Sequence, residues 1–190
     1  MTYASPATDP KQIARQRVER AHEALIGLSH WIQANPELGF EEKQASGWLA
    51  EWLEKAGFEV TRGLGGMETA VSGSFGPGPL HVALLAEYDA LPDVGHACGH
   101  NLIAATAVGA GVALAGVAQQ LKMRVSVIGT PAEENGGGKI RLIDAGAFDG
   151  VHLALMVHPG PSDLLEPEVL AAETLEISYR GQSAHASAFP

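Results

Sequence analysis

Apolar positions in the first part of the chain recur with a helical period. Asp9 is suited to be an N-cap and Pro10 to be the first helical residue of a segment that should end near Asn35 and Pro36. A second segment over residues 41–57 brings four apolar side chains to one face, namely Trp48, Leu49, Trp52 and Leu53. The pattern therefore predicts two amphipathic helices before residue 58.

After residue 57 the apolar runs become short and rich in β-branched residues, which indicates strands. The first runs occupy residues 58–62 and 69–75, between turns rich in glycine and proline. From there strands alternate with helices, in the order strand 80–87, helix 101–121, strand 124–130, helix 137–145 and strand 151–157. This alternation predicts an α/β fold with a largely parallel sheet flanked by helices.

The sequence changes character after Pro159. A loop-like stretch precedes residues 171–181, "AAETLEISYRG", which we predict to be a strand of a new unit. We therefore divide the chain into a first domain over residues 1–168 and the beginning of a second over residues 169–190.

Composition and charge exclude several classes of protein. The 190 residues are 46% apolar, which is enough for one substantial core. The single cysteine cannot form an internal disulfide and the first residues do not resemble a secretory signal, so we expect a cytoplasmic location. The uncharged stretch 102–121 is rich in Ala and Gly and is expected to be a buried helix, with no membrane partner. A net charge of -10 argues against nucleic acid as a partner.

Reactive side chains follow three successive strands of the predicted sheet. Because the carboxyl ends of parallel strands share one edge, the loops "AEYDALPDVGHACGHN", "TPAEENGGG" and "HPGPSD" should meet in space. Together they supply Glu87, Asp89, His96, Cys98, His100, Glu133, Glu134 and His158. A thiolate, imidazoles and carboxylates at one edge form a ligand set for zinc or a similar divalent ion.

The adjacent carboxylates Glu133 and Glu134 suggest a division of labour. If Glu134 binds the metal, Glu133 lies beside a bound water and can act as the general base for amide hydrolysis. One alternative makes Cys98 a nucleophile, with His96 or His100 as its base. Residues two positions apart in the sequence rarely form the hydrogen bond that a nucleophile needs with its base. This alternative also leaves the glutamate pair unexplained.

Four ordered motifs carry a family resemblance, "AEYDALPDVGHACGHNLIAAT", "GTPAEENGGGKIRLIDAGAFDG", "MVHPG" and "GQSAHAS". Together with the upstream "NPELGFEE", they resemble the aminoacylase-type metallopeptidases, peptidase family M-twenty, in the branch of hippurate, indole-acetyl-amino-acid and aminobenzoyl-glutamate hydrolases and a dipeptidase-like group. The resemblance implies a zinc-exopeptidase-like catalytic domain followed by a small α+β lid.

The resemblance also implies a role for each matching residue. The implied metal ligands are Cys98, His100, Glu134 and His158, which would hold one or two divalent ions, zinc, manganese or cobalt. The implied catalytic residues are Glu133 as general base, Asp89 orienting a ligand, and His185, a lid histidine that stabilises the oxyanion in the partner subunit's site. Glu87 stands where other branches carry a ligand histidine.

The implied activity is hydrolysis of the amide bond of an N-acyl amino acid, a dipeptide or a related small amide. Family members are about twice as long as this chain, and their last ligand histidine follows the lid, so this chain resembles the N-terminal half of such a protein. A homodimer formed through the lid is expected at full length. The alternative is an inactive or truncated fragment that acts only as a weak metal-binding or association module.

Overall fold

A computed structural model describes residues 9–165, 167, 171, 175, 177–183, 185 and 187. It divides into two compact units, Met1–Pro159 and Gly160–Pro190. The helices of the first unit are α1 (Pro10–Ala34), α2 (Lys43–Lys55), α3 (His100–Ala115), the single turn α4 (Glu133–Gly136) and α5 (Gly138–Asp144). Its strands are β1 (Glu59–Arg62), β2 (Val71–Phe75), β3 (Leu80–Ala86), β4 (Met123–Gly129) and β5 (Leu153–Leu155). A short 3-10 turn, Leu64–Gly66, follows β1.

The five strands form one mixed sheet in the order β1-β2-β4-β3-β5. β3 runs parallel to both β4 and β5, with Val82 opposite Val125 on one side and Leu153 on the other. β1 and β2 are antiparallel to each other, and β2 is antiparallel to β4. The parallel strands are therefore the ones that precede the reactive loops, and the antiparallel pair extends the far edge of the sheet.

Helices cover both faces of the central strands. Val82 and Leu84 of β3 face the larger core, in which α1, α2 and α3 pack on the sheet. The alternate residue Ala83 faces a smaller core with Leu142 of α5. Small residues permit close packing, since a Cβ on Gly111 of α3 would lie 2.4 Å from a methyl group of Val127. The predicted α/β arrangement with flanking helices is confirmed.

Local chemistry fixes where the first two helices begin. Asp9 caps α1 by accepting a hydrogen bond from the backbone N–H of Lys11 at 3.1 Å. The carboxylate of Glu37 accepts 3.0 Å hydrogen bonds from the backbone N–H groups of Gln44 and Ala45 in the first turn of α2. This acidic side chain satisfies helix donors that would otherwise have no partner, and it connects the loop after α1 to α2.

Two stretches of the chain bear on the predicted boundaries. α3 ends at Ala115 rather than near residue 121, and the following residues form turns in which Gly116 donates to the carbonyl of Ala113. Of the strand predicted over residues 171–181, residues 172–174 and 176 lie outside the described part of the chain, and residues 177–181 are not in a strand. The domain boundary after residue 168 stays a prediction. Among the described residues, no helix combines the length and apolar character needed to cross a bilayer.

Candidate metal centre

The loops that follow β3, β4 and β5 meet at one edge of the sheet, as the sequence predicted. Two overlapping groups of ligand atoms form there, each with its atoms within 4.8 Å of one another. One group contains Glu87, His100 and His158, and the other contains His100, Glu133 and Glu134. His100 therefore lies at the centre of the site.

His100 is the first residue of α3, and its side chain is buried. Its Nδ1 lies 2.9 Å from both the carboxylate and the backbone carbonyl of Asp89. Because both of these neighbours are acceptors, Nδ1 must carry the proton and donate it. Nε2 then presents a lone pair to Glu87 Oε2 at 3.4 Å and Glu134 Oε1 at 3.7 Å. The ring is thus oriented as histidine is when its second nitrogen binds a metal.

Asp89 connects the first loop to the second. Its Oδ1 accepts from His100, and its Oδ2 accepts from the backbone N–H of Glu134 at 3.0 Å. Burial alone would raise the pKa of this carboxyl, but the hydrogen bonds from His100 and Glu134 outweigh burial and lower it. Conversely, burial would lower the pKa of His100, but the hydrogen bond to Asp89 and the charges of Asp89, Glu87 and Glu134 together raise it by more. Asp89 is therefore an ionised anchor behind the ligand atoms.

Glu87 is a buried carboxylate with two different neighbours. Its Oε1 forms a short ion pair with the ammonium of Lys139, whose side chain is 28% exposed. Its Oε2 has no hydrogen-bond partner and faces His100. Lys139 was not among the residues singled out from the sequence. The run of glycines before it was the available signal, since it lets the chain fold back over the sheet edge.

Glu133 and Glu134 are the first residues of α4 and directly follow a strained backbone conformation. Ala132 has a left-handed conformation with φ of 55°, which is uncommon for a residue other than glycine. The two glutamates then face different surroundings, since the side chain of Glu133 is 42% exposed and that of Glu134 is 19% exposed. Burial, followed by the charge of Glu87, raises the pKa of Glu133. The two neighbouring carboxylates therefore differ in their exposure to solvent.

A buried polar network holds the strained residue in place. Glu42 accepts a 2.7 Å hydrogen bond from the backbone N–H of Ala132 and another of 2.7 Å from the hydroxyl of Thr69. Tyr88 donates to the backbone carbonyl of Thr69 at 2.6 Å. Burial raises the pKa of Glu42 more than these hydrogen bonds lower it. Glu42, which sequence reasoning did not single out, therefore supports the turn that carries the glutamate pair.

Cys98 lies beside the two ligand groups rather than within them. It is half-buried, and a side-chain hydrogen bond to Glu134, followed by burial, raises the pKa of the thiol to about 11. The turn to His100 passes through Gly99, whose φ is 78° and whose Cβ, if present, would lie 2.7 Å from Pro159. His96 is partly buried. Burial, followed by the charge of His100, lowers the pKa of its ring.

The two remaining predicted histidines lie in different units. His158, after β5, is exposed, and its Nδ1 donates to the carbonyl of Pro159 at 2.8 Å. Its ring lies edge-on to that of His100 with centroids 6.1 Å apart, which leaves Nε2 available to the Glu87 group. His185 belongs to the second unit, where its Nδ1 lies 2.8 Å from the hydroxyl of Ser187. Its predicted role in the site stays a prediction.

The atoms of the site fit a divalent cation. Glu87 Oε2, His100 Nε2 and Glu134 Oε1 are buried side-chain atoms without a hydrogen-bond partner. A buried polar atom without a partner is costly, and all three are electron-pair donors in the same small region. A cation in either ligand group would satisfy His100 Nε2 together with one of the two carboxylate oxygens, and oxygen and imidazole donors suit zinc, manganese and cobalt alike.

The chain is similar in sequence to known proteins along most of its length. The sequence profile described as Peptidase family M20/M25/M40 matches residues 83–186. The chain is 40% identical to the Xaa-Arg dipeptidase of Mus musculus, over 95% of this chain and 45% of that protein. It is 34% identical to a p-aminobenzoyl-glutamate hydrolase chain of Escherichia coli, over 91% of this chain and 40% of that protein.

A solved structure gives the same result for the fold. A Bacillus subtilis protein described as a dinuclear metal binding peptidase from the M20 family superposes with a TM-score of 0.65 at 28% identity. The match covers 72% of this chain and 42% of that one. This chain thus spans about half the length of the curated relatives it matches.

Proposed function

Because the chain belongs to peptidase family M20/M25/M40, we propose that its site binds divalent metal and hydrolyses the amide bond of an N-acyl amino acid, a dipeptide or a related small amide. The convergence of three unpartnered donor atoms at the loop edge is the observation that carries the metal assignment. The names of two relatives, a dipeptidase and an aminobenzoyl-glutamate hydrolase, support a small amide as substrate.

The proposed ligands are His100, Glu134 and His158, with Cys98 reaching the ion once its hydrogen bond to Glu134 is given up. They would hold one or two ions of zinc, manganese or cobalt. When bound, the metal supplies a positive charge that polarises the scissile carbonyl and makes water more acidic. Asp89 keeps the proton of His100 on Nδ1, so that Nε2 stays a donor to the ion.

Glu133 is the proposed general base. It is the more exposed of the paired glutamates, and its carboxylate lies 3.9 Å from His100 Nε2 at the edge of the ligand group. The pKa of Glu133 is raised and so lies closer to neutral pH, where a carboxylate can take a proton from water and then deliver it to the departing amine. Glu134, by contrast, is the more buried of the two, and its Oε1 lies 3.7 Å from His100 Nε2, which suits a ligand.

An open cleft of about 820 Å³ borders the loop before Cys98 and offers a place for part of a small substrate. It is lined by residues 91–97 and by Gln33, Pro36 and Leu38. We further propose that His185 acts on the oxyanion of the reaction in a partner's site, that the full-length protein is a homodimer, and that it is cytoplasmic. We also propose that the first domain ends after residue 168.

The test replaces Glu133 by Gln in the full-length protein that contains this chain. We expect metal content to stay at the wild-type level while turnover of N-acyl amino acids and dipeptides falls by roughly a hundredfold or more. Glu68→Gln, an exposed glutamate, is the control for the same chemical change. Near-normal turnover with Glu133→Gln would refute the assignment.

A second candidate is a module that binds metal weakly or serves only in association, without catalysis. Assaying the 190-residue chain itself separates the two. Hydrolysis that a chelator abolishes excludes this second candidate. If alkylation of Cys98 abolishes hydrolysis while a chelator has no effect, the site is a cysteine nucleophile instead.

A further inference from the structure

Lys139 places a fixed positive charge inside the candidate metal centre. Its ammonium pairs with Oε1 of Glu87, a carboxylate whose side chain is 2% exposed. Among the described residues, it is the only lysine or arginine that forms an ion pair with the acidic side chains of this site. The proposed mechanism does not use it.

The turn before Lys139 is built for this position. Gly137 is left-handed with φ of 59°, and a Cβ on Gly138 would lie 1.8 Å from the carbonyl oxygen of Pro131. Only glycine therefore lets the chain pass so close to the end of β4. The result is that Lys139, the second residue of α5, lies over the end of β3, where Glu87 is located.

The ion pair makes the two overlapping ligand groups electrostatically different. In the group of Glu87, His100 and His158, the single carboxylate is already balanced by the ammonium of Lys139. The group of His100, Glu133 and Glu134 has two carboxylates and no such ion pair. A divalent cation on Glu87 Oε2 would share one carboxylate with the ammonium and would be repelled by it.

His100 Nε2 has one lone pair and can bind only one ion at a time, so a second ion would depend on Glu87 and His158. We propose that Lys139 is a positioning residue that holds Glu87 as a one-oxygen donor and makes the position formed by Glu87 and His158 the weaker of two cation positions. This inference rests on the proposed metal function and adds to it the residue that sets the order in which ions bind. Lys139 acts through Glu87, and it limits occupancy of the second position by charge rather than by shape.

The experiment counts ions on the wild-type chain and on Lys139→Met. Manganese(II) is titrated into each protein under reducing conditions, and free ion is measured by electron paramagnetic resonance. We expect wild type to bind one ion tightly and a second ion weakly, and Lys139→Met to bind the second at least about tenfold more tightly. A structural defect would weaken binding, so a gain separates a charge effect from damage to the fold.

Three further variants define the cause of the gain. Lys139→Arg keeps the charge and should bind as wild type does. Lys55→Met removes an exposed lysine that also pairs with a glutamate, and it should change nothing. Adding Glu87→Gln to Lys139→Met should abolish the gain, because it replaces the negatively charged carboxylate by a neutral amide, a much weaker donor to a cation.

Two results would overturn the inference. One is an unchanged or weaker second ion in Lys139→Met, and the other is an equal gain in Lys139→Arg. If either occurs while wild type still binds manganese and hydrolyses amides, the inference fails and the proposed function stands. If no protein in the series binds manganese, the proposed metal function fails and this inference fails with it.

Discussion

Asp89 offers the sharpest test of how the site is built, because one side chain orients His100 and also fixes the backbone of Glu134. Replacing it by Asn keeps the size and removes one acceptor. If the amide oxygen accepts from Glu134 N–H, the amide N–H₂ faces His100 Nδ1, which also lies 2.9 Å from the Asp89 carbonyl oxygen. If the amide is reversed, two donors meet across the 3.0 Å contact to Glu134.

Both orientations of the amide should destabilise the protein, and the size of the effect can be estimated. One charge-assisted hydrogen bond is lost in a buried place, which should lower the free energy of unfolding by about 2 kcal/mol. The first arrangement also moves the proton of His100 to Nε2, the atom that would bind metal. Loss of a carboxylate that orients a ligand histidine typically lowers metal affinity by roughly 10- to 100-fold. We expect both effects in Asp89→Asn.

Metal affinity is measured by titration with manganese(II), and stability by urea unfolding of the metal-free protein. Asp93→Asn makes the same chemical change at an exposed position of the same loop and should alter neither quantity by much. If Asp89→Asn loses stability but binds manganese as tightly as wild type, Asp89 supports the fold alone and the reasoning about the proton of His100 is wrong.

Three other predictions concern the surroundings of the site. The alkylation rate of Cys98 against pH should give a thiol pKa of about 11 in the metal-free chain, and Glu134→Gln should lower it; an unchanged profile would contradict the hydrogen bond. Burial raises the pKa of Glu42, so its contribution to stability is fully present below pH 4.5 and is lost as pH rises through the folded-state pKa. In wild type, this loss should lower the free energy of unfolding by up to about 1.4 kcal/mol per pH unit, and urea unfolding of Glu42→Gln should show no such dependence. Gly138→Ala should cost about 1–3 kcal/mol or more, while Gly27→Ala, an open helical position, should gain roughly 0.5–1 kcal/mol in thermal unfolding; equal effects would refute the packing argument.

Much of the fold and part of the site could be predicted from the sequence. Apolar periodicity predicted the five strands of the first unit, and the rule for the carboxyl ends of parallel strands predicted that Glu134, His100 and His158 lie at one edge. Strand direction could not be predicted at β2, because a short apolar run is the same in a parallel and an antiparallel pairing. The roles of the individual site residues stay predictions.

The supporting contacts were beyond sequence reasoning for a physical reason. Lys139 reaches Glu87 across 52 positions of the chain, and Glu42 reaches Ala132 across 90. Such contacts depend on how a glycine turn or a helix start packs in three dimensions, and no local period encodes them. The length of α3 was overestimated for a related reason, because Gly116 begins a turn that apolar composition alone does not reveal.

The hydrogen bond between Glu42 and Ala132 has a consequence for reading variants of this protein. A fully buried carboxylate sets the orientation of the peptide unit immediately before Glu133, so a substitution of Glu42 could produce the same loss of turnover as a substitution of the proposed catalytic residues. A screen that scores only turnover would group Glu42 with the reacting groups. Only a comparison of turnover with thermal stability would show that Glu42 supports the fold.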